Sequence, residues 1–394
     1  MSKLEELIAE LCPNGVEYNI LNKVCKIYDG THQTPNYTDR GVKFVSVQNI
    51  NALYDTEKCI SEEDFEKYKI KPQIDDVLMT RIGSIGVCTV VDRDEPLAYY
   101  VSLALLRPDA EKLNSKFLKY AIESLHGRKE LRKRTLVNAV PIKINKDDIG
   151  KITVPVPPLP VQREIVRILD NFTELTAELT AELTARKKQY EYYRNKLLCF
   201  NNPNIEWTTL GEIGKVSMCK RIMKAETSND GDVPFYKIGT FGGQANAYIS
   251  RETFEKYKEL YSYPKKGDIL ISAAGTIGRS VVFDGKPAYF QDSNIVWIAN
   301  DESKVLNSFL RYYYQLQPWQ VSTGGTIARL YNDNISKTKV PVLPINEQNR
   351  IVELLDRFDT LCNDIIIGLP AEIQARIKQY EYYRDKLLTF KELS

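Results

Sequence analysis

The sequence predicts an α+β protein in which two mixed α/β domains are separated by two long helices that form a coiled coil. The first observation is a repeat: residues 161–200 and 347–390 end in nearly the same letters, ARKKQYEYYRNKLLCF and ARIKQYEYYRDKLLTF. The second is a match between residues 76–86 and 268–278, DVLMTRIGSIG and DILISAAGTIG. Matches this far apart indicate duplication of a whole unit, so we expect a pseudo-twofold internal repeat.

Both copies of the longer repeat are predicted to be helical. In the first copy Ile165, Phe172 and Leu179 stand seven residues apart, with charged and polar residues in many of the positions between them. No Gly or Pro lies within 161–200, which permits one helix of about 40 residues and about 60 Å. Such a helix needs a partner along its apolar stripe, either the other copy or a bundle core. The second copy contains Gly-Leu-Pro at 368–370, where we expect a kink or a break.

A globular unit precedes each long helix, at residues 18–155 and 207–341. Short β-rich runs and turn residues indicate mixed α and β structure without a regular βαβ series. In the first unit we expect three strands and one helix, at residues 42–47, 76–80, 87–91 and 114–131. Phe117, Leu118 and Leu125 are among the apolar residues predicted to share one face of that helix.

Composition narrows the class of protein. The chain has 394 residues and a net charge of +2, so any basic surface must be local. Its seven cysteines are odd in number and form no CxxC pair, which argues against a disulfide framework or a zinc site. Residues 1–12 are typical of a short amphipathic helix, not of a secretory signal, and no apolar run is long enough to span a membrane. We therefore expect a cytoplasmic protein.

The common catalytic motifs are absent from the sequence. It has no G-x-x-x-x-G-K-[ST] phosphate loop, no G-x-G-x-x-G before a helix and no Asn-Pro-Pro-aromatic tetrapeptide. The run at 108–112 superficially resembles a nuclease site, but that chemistry brings carboxylates together from separate strands around a metal. With His32 and His126 as the only histidines, a His-based metal cluster or triad is implausible.

The remaining polar residues indicate binding. Arg, Lys, Gln, Asn and hydroxyl side chains are those that contact DNA phosphates and base edges. Solvated surface charge is the alternative for each of them, and the polar loop at 31–35 and the two GxxG turns also have purely structural interpretations. The candidate DNA-binding residues are Thr31, His32, Gln33, Thr34, Arg81, Ser84, Lys143, Lys220, Arg221, Lys237, Thr276, Arg279 and Arg329.

A family resemblance runs along essentially the whole chain. The helix starts PPLPVQREIVRILDNF and LPINEQNRIVELLDRF, the tandem TAEL at 176–183 and the segments DGTHQTP and GSIG resemble HsdS, the specificity subunit of type I restriction–modification enzymes. The resemblance implies two target recognition domains, each reading one half of a split asymmetric DNA sequence. It implies antiparallel helices that fix the spacer. The implied ranges are 1–156 for the N-terminal recognition domain, 157–200 for the central spacer helix, 201–342 for the C-terminal recognition domain and 343–394 for the distal spacer helix.

The resemblance also implies partners. They are double-stranded DNA, two methyltransferase subunits and motor–nuclease subunits, with no membrane. S-adenosylmethionine, ATP and Mg²⁺ are expected on the partner subunits, and no cofactor or catalytic residue in this chain. Two other hypotheses stay open: an adaptor with two peptide-reading domains, or an enzyme with a cryptic site. DNA retention that falls steeply with salt, with co-purification of a methyltransferase, would separate the first hypothesis from both.

Overall fold

A computed structural model of the chain describes residues 2–200, 203–321 and 329–393. The contacts divide it into two compact units. The first contains Met1–Thr180 and Glu372–Ser394, and the second contains Ala181–Ala371. One long helix contributes its first half to the first unit and its second half to the second unit.

Up to the end of the long helix, the described residues of the first unit form seven α-helices and nine strands. In chain order they are α1 (Lys3–Leu11), β1 (Tyr18–Ile20), α2 (Leu21–Val24), β2 (Cys25–Asp29), β3 (Val42–Val45), β4 (Cys59–Ile60), α3 (Glu62–Glu66), β5 (Val77–Thr80), β6 (Cys88–Val90), β7 (Leu97–Tyr99), β8 (Leu103–Pro108), α4 (Ser115–Glu123), α5 (Leu125–Arg134), α6 (Lys146–Ile149), β9 (Thr153–Pro155) and α7 (Leu159–Leu198). Helix α1 confirms the amphipathic helix expected at the start of the sequence.

The second unit repeats most of this order. Its elements are β10 (Glu206–Thr209), α8 (Leu210–Ile213), β11 (Gly214–Ser217), β12 (Val233–Tyr236), β13 (Tyr248–Ile249), α9 (Arg251–Leu260), β14 (Ile269–Ser272), β15 (Ser280–Val282), β16 (Tyr289–Phe290), β17 (Ile295–Asn300), α10 (Asn307–Tyr313), α11 (Asn332–Ser336), β18 (Lys339–Val342) and α12 (Ile345–Asn363). Helix α13 (Leu369–Leu387) then returns the chain to the first unit.

The sheets of the two units have the same topology. An antiparallel four-stranded sheet has the order β2-β8-β5-β6 in the first unit and β11-β17-β14-β15 in the second. A three-stranded sheet, β4-β3-β7 or β13-β12-β16, contains one parallel pair. A two-stranded antiparallel ribbon, β1-β9 or β10-β18, precedes the long helix. The pseudo-twofold repeat predicted from short sequence matches therefore extends to the whole fold of each unit.

A buried glutamine fixes the start of α7. The side chain of Gln162 is fully buried, and its Nε2 donates hydrogen bonds of 2.7 Å to the carbonyls of Lys112 and Pro157. Its Oε1 accepts the N–H of Asn114 at 2.8 Å. One amide thus joins the first turn of the helix to the strand exit and to the loop before α4.

The second unit contains the same arrangement, which we call the glutamine clamp. Gln348 is also fully buried and donates to the carbonyls of Lys304 and Leu343, both at 2.8 Å. It accepts the N–H of Leu306 at 2.8 Å. A buried side-chain amide without hydrogen-bond partners would be costly, and each of these glutamines forms three hydrogen bonds. The bonds go to matching positions, so the same junction between globular unit and helix occurs twice.

A second polar contact lies about two turns further along each helix. The hydroxyl of Tyr120 donates to Asp170 at 2.6 Å, and the hydroxyl of Tyr312 donates to Asp356. Burial raises the pKa of both tyrosines, and the neighbouring carboxylate raises it further. Each tyrosine is therefore a protonated donor, and each long helix is attached to its globular unit at two points.

The central part of α7 has the burial pattern of a two-helix seam. Between its ends the half-buried positions mostly follow spacings of three and four residues, at Phe172, Leu175, Thr176, Leu179, Leu183, Arg186 and Gln189. A stripe this narrow is typical of a coiled coil and too narrow for a bundle core. The predicted pairing with the other copy of the repeat is confirmed.

The partner of α7 changes along its length. In the first unit Phe172 stacks on Tyr383 of α13, with ring centroids 5.4 Å apart. In the second unit Tyr193 stacks on Phe358 of α12 at 5.9 Å. Burial raises the pKa of Cys362, one turn after Phe358 in α12. The nearby charge of Lys187, nearly two turns before Tyr193 in α7, acts against that rise. The helices of this pair therefore run antiparallel.

The second copy of the long repeat is broken, as predicted. Helix α12 ends at Asn363 and α13 starts at Leu369, so Pro370 occupies the first turn of a new helix, where its missing N–H costs little. Between them, the carboxylate of Asp364 accepts the N–H groups of Ile366 and Ile367. The described second copy is two helices of 19 residues each.

The single helix predicted at residues 114–131 is wrong, because the chain forms two helices there. Ser124 is extended, with φ −67° and ψ 166°, and its hydroxyl caps α5 by accepting the N–H of Gly127 at 3.2 Å. A Cβ at Gly127 would collide with carbonyls of the preceding helix, so the junction needs glycine. The break turns Leu125 outward, where it is 54% exposed and not part of the buried face.

Most thiols are buried among apolar side chains. Cys12, Cys25, Cys88, Cys219 and Cys362 are buried, whereas Cys199 is exposed. Burial raises the pKa of Cys25 and of Cys219 to about 12. No described helix is long and apolar enough to cross a membrane.

Loss of the glutamine clamp should destabilise the unit that contains it. We expect Gln162→Leu to lower the free energy of unfolding of the first unit by about 2–4 kcal/mol, since it leaves two carbonyls and one N–H without partners in a buried joint. Gln348→Leu should do the same in the second unit. Denaturant unfolding followed by circular dichroism measures both effects.

The control is Gln374→Leu, on the exposed face of α13, which should change stability by less than about 0.5 kcal/mol. Equal effects of the buried and exposed substitutions would contradict the clamp.

Candidate nucleic-acid interface

The polar loop after β2 is held close to β7. A Cβ at Gly30 would collide with the carbonyl of Tyr100, so glycine permits the close approach. Thr31 donates its N–H to the carbonyl of Tyr99 at 3.2 Å and accepts the N–H of Val101 at 2.9 Å. Thr31 is half-buried in consequence, and the three residues after it are exposed.

The loop lines a cavity of about 540 Å³. Thr31, Gln33 and Thr34 contribute to its wall, and three lysines, Lys67, Lys69 and Lys146, contribute cations. His32 is exposed and is not among the lining residues. Three of the four residues predicted in this loop therefore lie together in a polar, partly basic depression.

Arg81 has a structural partner. Its side chain is only 8% exposed, it forms an ion pair with Asp29, and its Nε donates to the carbonyl of Ile144 at 3.2 Å. Burial lowers the pKa of the Arg81 guanidinium. Arg81 thus ties the end of β2 to the segment before α6 and does not present its charge on the surface. A direct DNA contact by Arg81 stays a prediction.

Two of the predicted residues lie at the first GxxG turn, one within it and one on the segment bonded to it. Gly83 and Gly86 have φ of 78° and 87°, which favours glycine. The N–H of Gly83 donates to the carbonyl of Ile142 at 2.8 Å. Ser84 lies in this turn and is exposed. Lys143 is also exposed and directly follows Ile142, the residue that accepts the N–H of Gly83.

The second GxxG turn has the same backbone geometry and different side chains. Gly275 and Gly278 have φ of 68° and 76°. Thr276 and Arg279 are exposed, and Nη2 of Arg279 donates to the carbonyl of Gly242 at 3.3 Å. Unlike Arg81, Arg279 keeps its charge at the surface.

A basic cavity of about 420 Å³ forms beside the loop that follows β11. Three predicted residues line it together, namely Arg221, Lys237 and Arg329. Arg221 pairs with Asp292 at 2.9 Å, and Arg329 donates to the carboxamide oxygen of Asn294 at 3.2 Å. Lys220 is turned away, with its ammonium 5.1 Å from the ring centroid of Tyr261.

Sequence reasoning missed two residues of this cavity. Gln291 and Asn294 follow β16 and line the cavity, where Asn294 accepts a hydrogen bond from Arg329. Gln291 accepts the N–H of Ile238 at 2.9 Å. Side-chain amides of this kind can form paired hydrogen bonds with adenine. In the sequence, however, Gln-Asp-Ser-Asn at 291–294 cannot be told from an ordinary polar turn, and only the fold shows that it lines the cavity.

Helix α5 provides further positive charge in the first unit. Arg128, Lys129, Arg132 and Lys133 are exposed along it. Burial by itself would raise the pKa of Glu130, but hydrogen bonds from Lys133 and Thr153 and the charge of Arg134 lower it to about 2. Within the described ranges, no group of three His, Cys, Asp or Glu side chains could hold a metal ion.

Comparison with known proteins identifies the family to which this chain belongs. Residues 13–186 and 204–375 each match the family described as Type I restriction modification DNA specificity domain. The chain belongs to this family. The two matches cover both globular units and most of α7, so family membership applies to each half separately.

Related specificity subunits agree with this assignment. The chain is 53% identical over 288 residues to a putative type I restriction enzyme specificity subunit of Haemophilus influenzae, covering 71% of this chain and 73% of that one. It is 40% identical over 263 residues to the EcoR124I/EcoR124II specificity subunit of Escherichia coli, covering 61% of this chain and 63% of that one.

The fold agrees with a solved structure as well. A chain from a study of complex assembly and conformational transition of a type I restriction–modification system matches with a TM-score of 0.64. The identity is 17%, and the match covers 95% of this chain and 98% of that one. The predicted fold class, two mixed domains with long antiparallel helices, is that of the specificity family.

The two arginines should respond differently to truncation. Arg81→Ala should lower the free energy of unfolding by about 2–3 kcal/mol, because it leaves a part-buried carboxylate and a carbonyl without a donor. Arg279→Ala should leave stability within about 0.5 kcal/mol and weaken DNA binding by about 1–3 kcal/mol if the side chain makes a bidentate base contact.

Each variant is the control for the other, with stability measured by denaturant unfolding and affinity by titration of DNA. An Arg81→Ala protein as stable as the wild type would contradict the structural role of Arg81. Unchanged DNA affinity of Arg279→Ala would place the contact elsewhere.

Proposed function

We propose that this chain is the DNA sequence-recognition subunit of a type I restriction–modification enzyme, with each half reading one part of a split asymmetric target. The recognition domains in this proposal are residues 1–156 and 201–342, and the spacer helices are 157–200 and 343–394. The proposal gives the chain no catalytic role, in accord with its family, whose named relatives are specificity subunits.

One observation carries the proposal: the same scaffold occurs twice with different side chains in its loops. Arg81 and Ala273 occupy equivalent positions, since each donates its N–H to the residue before β8 or β17, at 2.9 and 2.8 Å. Val87 and Arg279 are equivalent too, because each donates its N–H to the hydroxyl at the end of β5 or β14. Two units with the same backbone hydrogen bonds and different side chains at equivalent loop positions suit a protein that reads two different half-sites.

The chemistry of the two faces supports DNA as the ligand. Exposed cations of α5 and of the basic cavity would neutralise DNA phosphates. Such contacts fix the position of the protein along the duplex, and their contribution to affinity falls as the salt concentration rises. Arg221 and Arg329 have the donor geometry for guanine, whereas Gln33, Gln291 and Asn294 suit adenine. The exposed hydroxyl residues of the GxxG turns, Ser84 and Thr276, suit contacts with the DNA backbone.

The partners are part of the proposal. Two methyltransferase subunits would bind the long helices and adjoining domain surfaces, and motor–nuclease subunits would complete the restriction enzyme. S-adenosylmethionine, ATP and Mg²⁺ would be bound by those subunits. The long seam of α7 supports this view, because its positions outside the seam are mostly exposed.

A domain exchange tests the assignment of the half-sites. Replacing residues 207–341 with the equivalent unit of a relative should change one half of the methylated motif, because the two faces read DNA independently. Methylome sequencing of a host that carries the chain with its cognate methyltransferase reads the motif directly.

Exchange of residues 18–155 is the matched control and should change the other half. A single exchange that altered both halves would contradict modular reading. Methylation that does not depend on this chain would contradict the proposed function itself.

The TAEL run predicts a spacer rule. Thr176 and Thr180 stand four residues apart, and their hydroxyls each donate to the carbonyl four residues earlier at 2.8 Å, within an unbroken helix. One more TAEL after Leu183 should extend α7 by about 6 Å and rotate it about 40° beyond a full turn. One base pair advances about 3.4 Å and turns roughly 35°, so the added rotation nearly matches one base pair. The translation overshoots by a few ångströms, which domain tilt or DNA bending would absorb, and the non-specific spacer should lengthen by one base pair.

Methylome sequencing of the insertion variant gives the spacer. The control changes Thr176 and Thr180 to Ala at constant length and should leave the spacer unchanged. An insertion variant that methylates the original motif would show that the gap is set elsewhere.

A further inference from the structure

The loop between α5 and α6 exposes apolar side chains at its tip. Val140 is completely exposed and Val137 is 62% exposed. Leu136 and Ile142, at the two sides of the loop, are 42% and 43% exposed. Single exposed apolar residues are ordinary, but four within seven residues form a patch that water solvates poorly.

The base of this loop is firmly held. The N–H of Leu136 donates to the carbonyl of Lys143 at 2.8 Å, and Gly83 in the GxxG turn donates to Ile142 at 2.8 Å. Ile144, directly after the loop, donates its N–H to Arg81 at 3.0 Å. Isolated β-bridges from Lys143 to Ile82 and to Leu136 hold the base of the loop beside the first GxxG turn, so the apolar tip projects next to that turn.

The surroundings of the tip are strongly basic. Residues 125–146 contain seven Lys and Arg side chains and one carboxylate, that of Glu130. Glu130 is buried and pairs with Lys133 and Arg134. Arg132 and Lys143, on either side of the loop, are both exposed. An apolar projection between cations is complementary to a polyanion with an apolar interior, which describes the phosphate backbone and base stack of DNA.

We propose that residues 136–142 act as a wedge that enters the base stack at the half-site read by the first unit. Val140 leads, Val137 follows, and the flanking cations hold the phosphates on both sides. Inserted apolar side chains of this kind partly unstack a base step and kink the duplex. The wedge rests on the proposed function, because it requires that the first unit binds DNA.

The wedge is assigned to the first half only. Leu330 donates its N–H to the carbonyl of Ala273 at 2.9 Å, just as Ile144 does to that of Arg81, so residues 322–328 precede Leu330 along the chain as residues 136–142 precede Ile144. That segment lies outside the described residues. Its sequence, Ser-Thr-Gly-Gly-Thr-Ile-Ala, has a single large apolar residue.

A topological experiment tests the wedge. The full-length chain is bound to a nicked circular plasmid of mixed sequence, the nick is ligated, and the linking number is measured. Unstacking unwinds DNA, so the wild-type chain should lower the linking number in proportion to the amount bound. The double variant Val137→Ser/Val140→Ser should reduce this shift by about half or more at equal occupancy. The control is Ile74→Ser, at a 49% exposed isoleucine before β5, which should retain the full shift.

The outcomes separate the wedge from the proposed function. A chain that does not bind the plasmid would overturn both. Binding with no change in linking number, or an equal shift by the double variant, would overturn the wedge and leave DNA recognition intact. Retained unwinding with lost co-purification of the methyltransferase would make the loop a protein-binding surface, which also overturns the wedge.

A fluorescence measurement keeps the test independent of folding defects. In Val140→Trp, the new indole should be quenched and protected from acrylamide when linear duplex DNA is added, because it stacks between bases. The wild-type chain, with its three native tryptophans, supplies the background. An indole equally accessible with and without bound DNA would overturn insertion of the tip.

Discussion

Each half of this protein depends on one buried side-chain amide. Gln162 and Gln348 each use two donors and one acceptor at the point where a strand exit, an inter-element loop and a long helix meet. No apolar residue could satisfy those backbone groups, and a carboxylate would lack the two donors. The direction in which each long helix leaves its sheet is therefore specified by hydrogen bonds and not by apolar packing alone.

The rest of the duplicated frame follows the same logic. Asp76 and Asp268 each accept the N–H three residues earlier, and Thr80 and Ser272 each accept the N–H seven residues later. These bonds fix the turns from which the variable loops extend. Because they involve few side chains, the loops can differ completely without disturbing the sheets, and that freedom is what a reader of different DNA sequences needs.

The sequence was most informative where local chemistry decides structure. Heptad spacing predicted the seam of α7, and Gly368 with Pro370 predicted the break between α12 and α13. The break at Ser124 was missed, since helical periodicity continues through it and only a serine cap with a glycine three residues later interrupts it. The burial of Arg81 was equally invisible, because its partner Asp29 is 52 residues away. For the same reason Gln291 and Asn294 could not be assigned to a cavity before the fold was known.

The rate at which the buried cysteines are alkylated can report local opening of each unit. Alkylating reagents attack thiolates, and burial keeps Cys25 and Cys219 protonated at neutral pH. Their modification therefore has to wait for a local opening that lets in water and reagent, so its rate reports the free energy of that opening. Cys25 and Cys88 report on the first unit, and Cys219 and Cys362 on the second. Mass spectrometry of modified peptides could thus measure how tightly each half is closed without any engineered label.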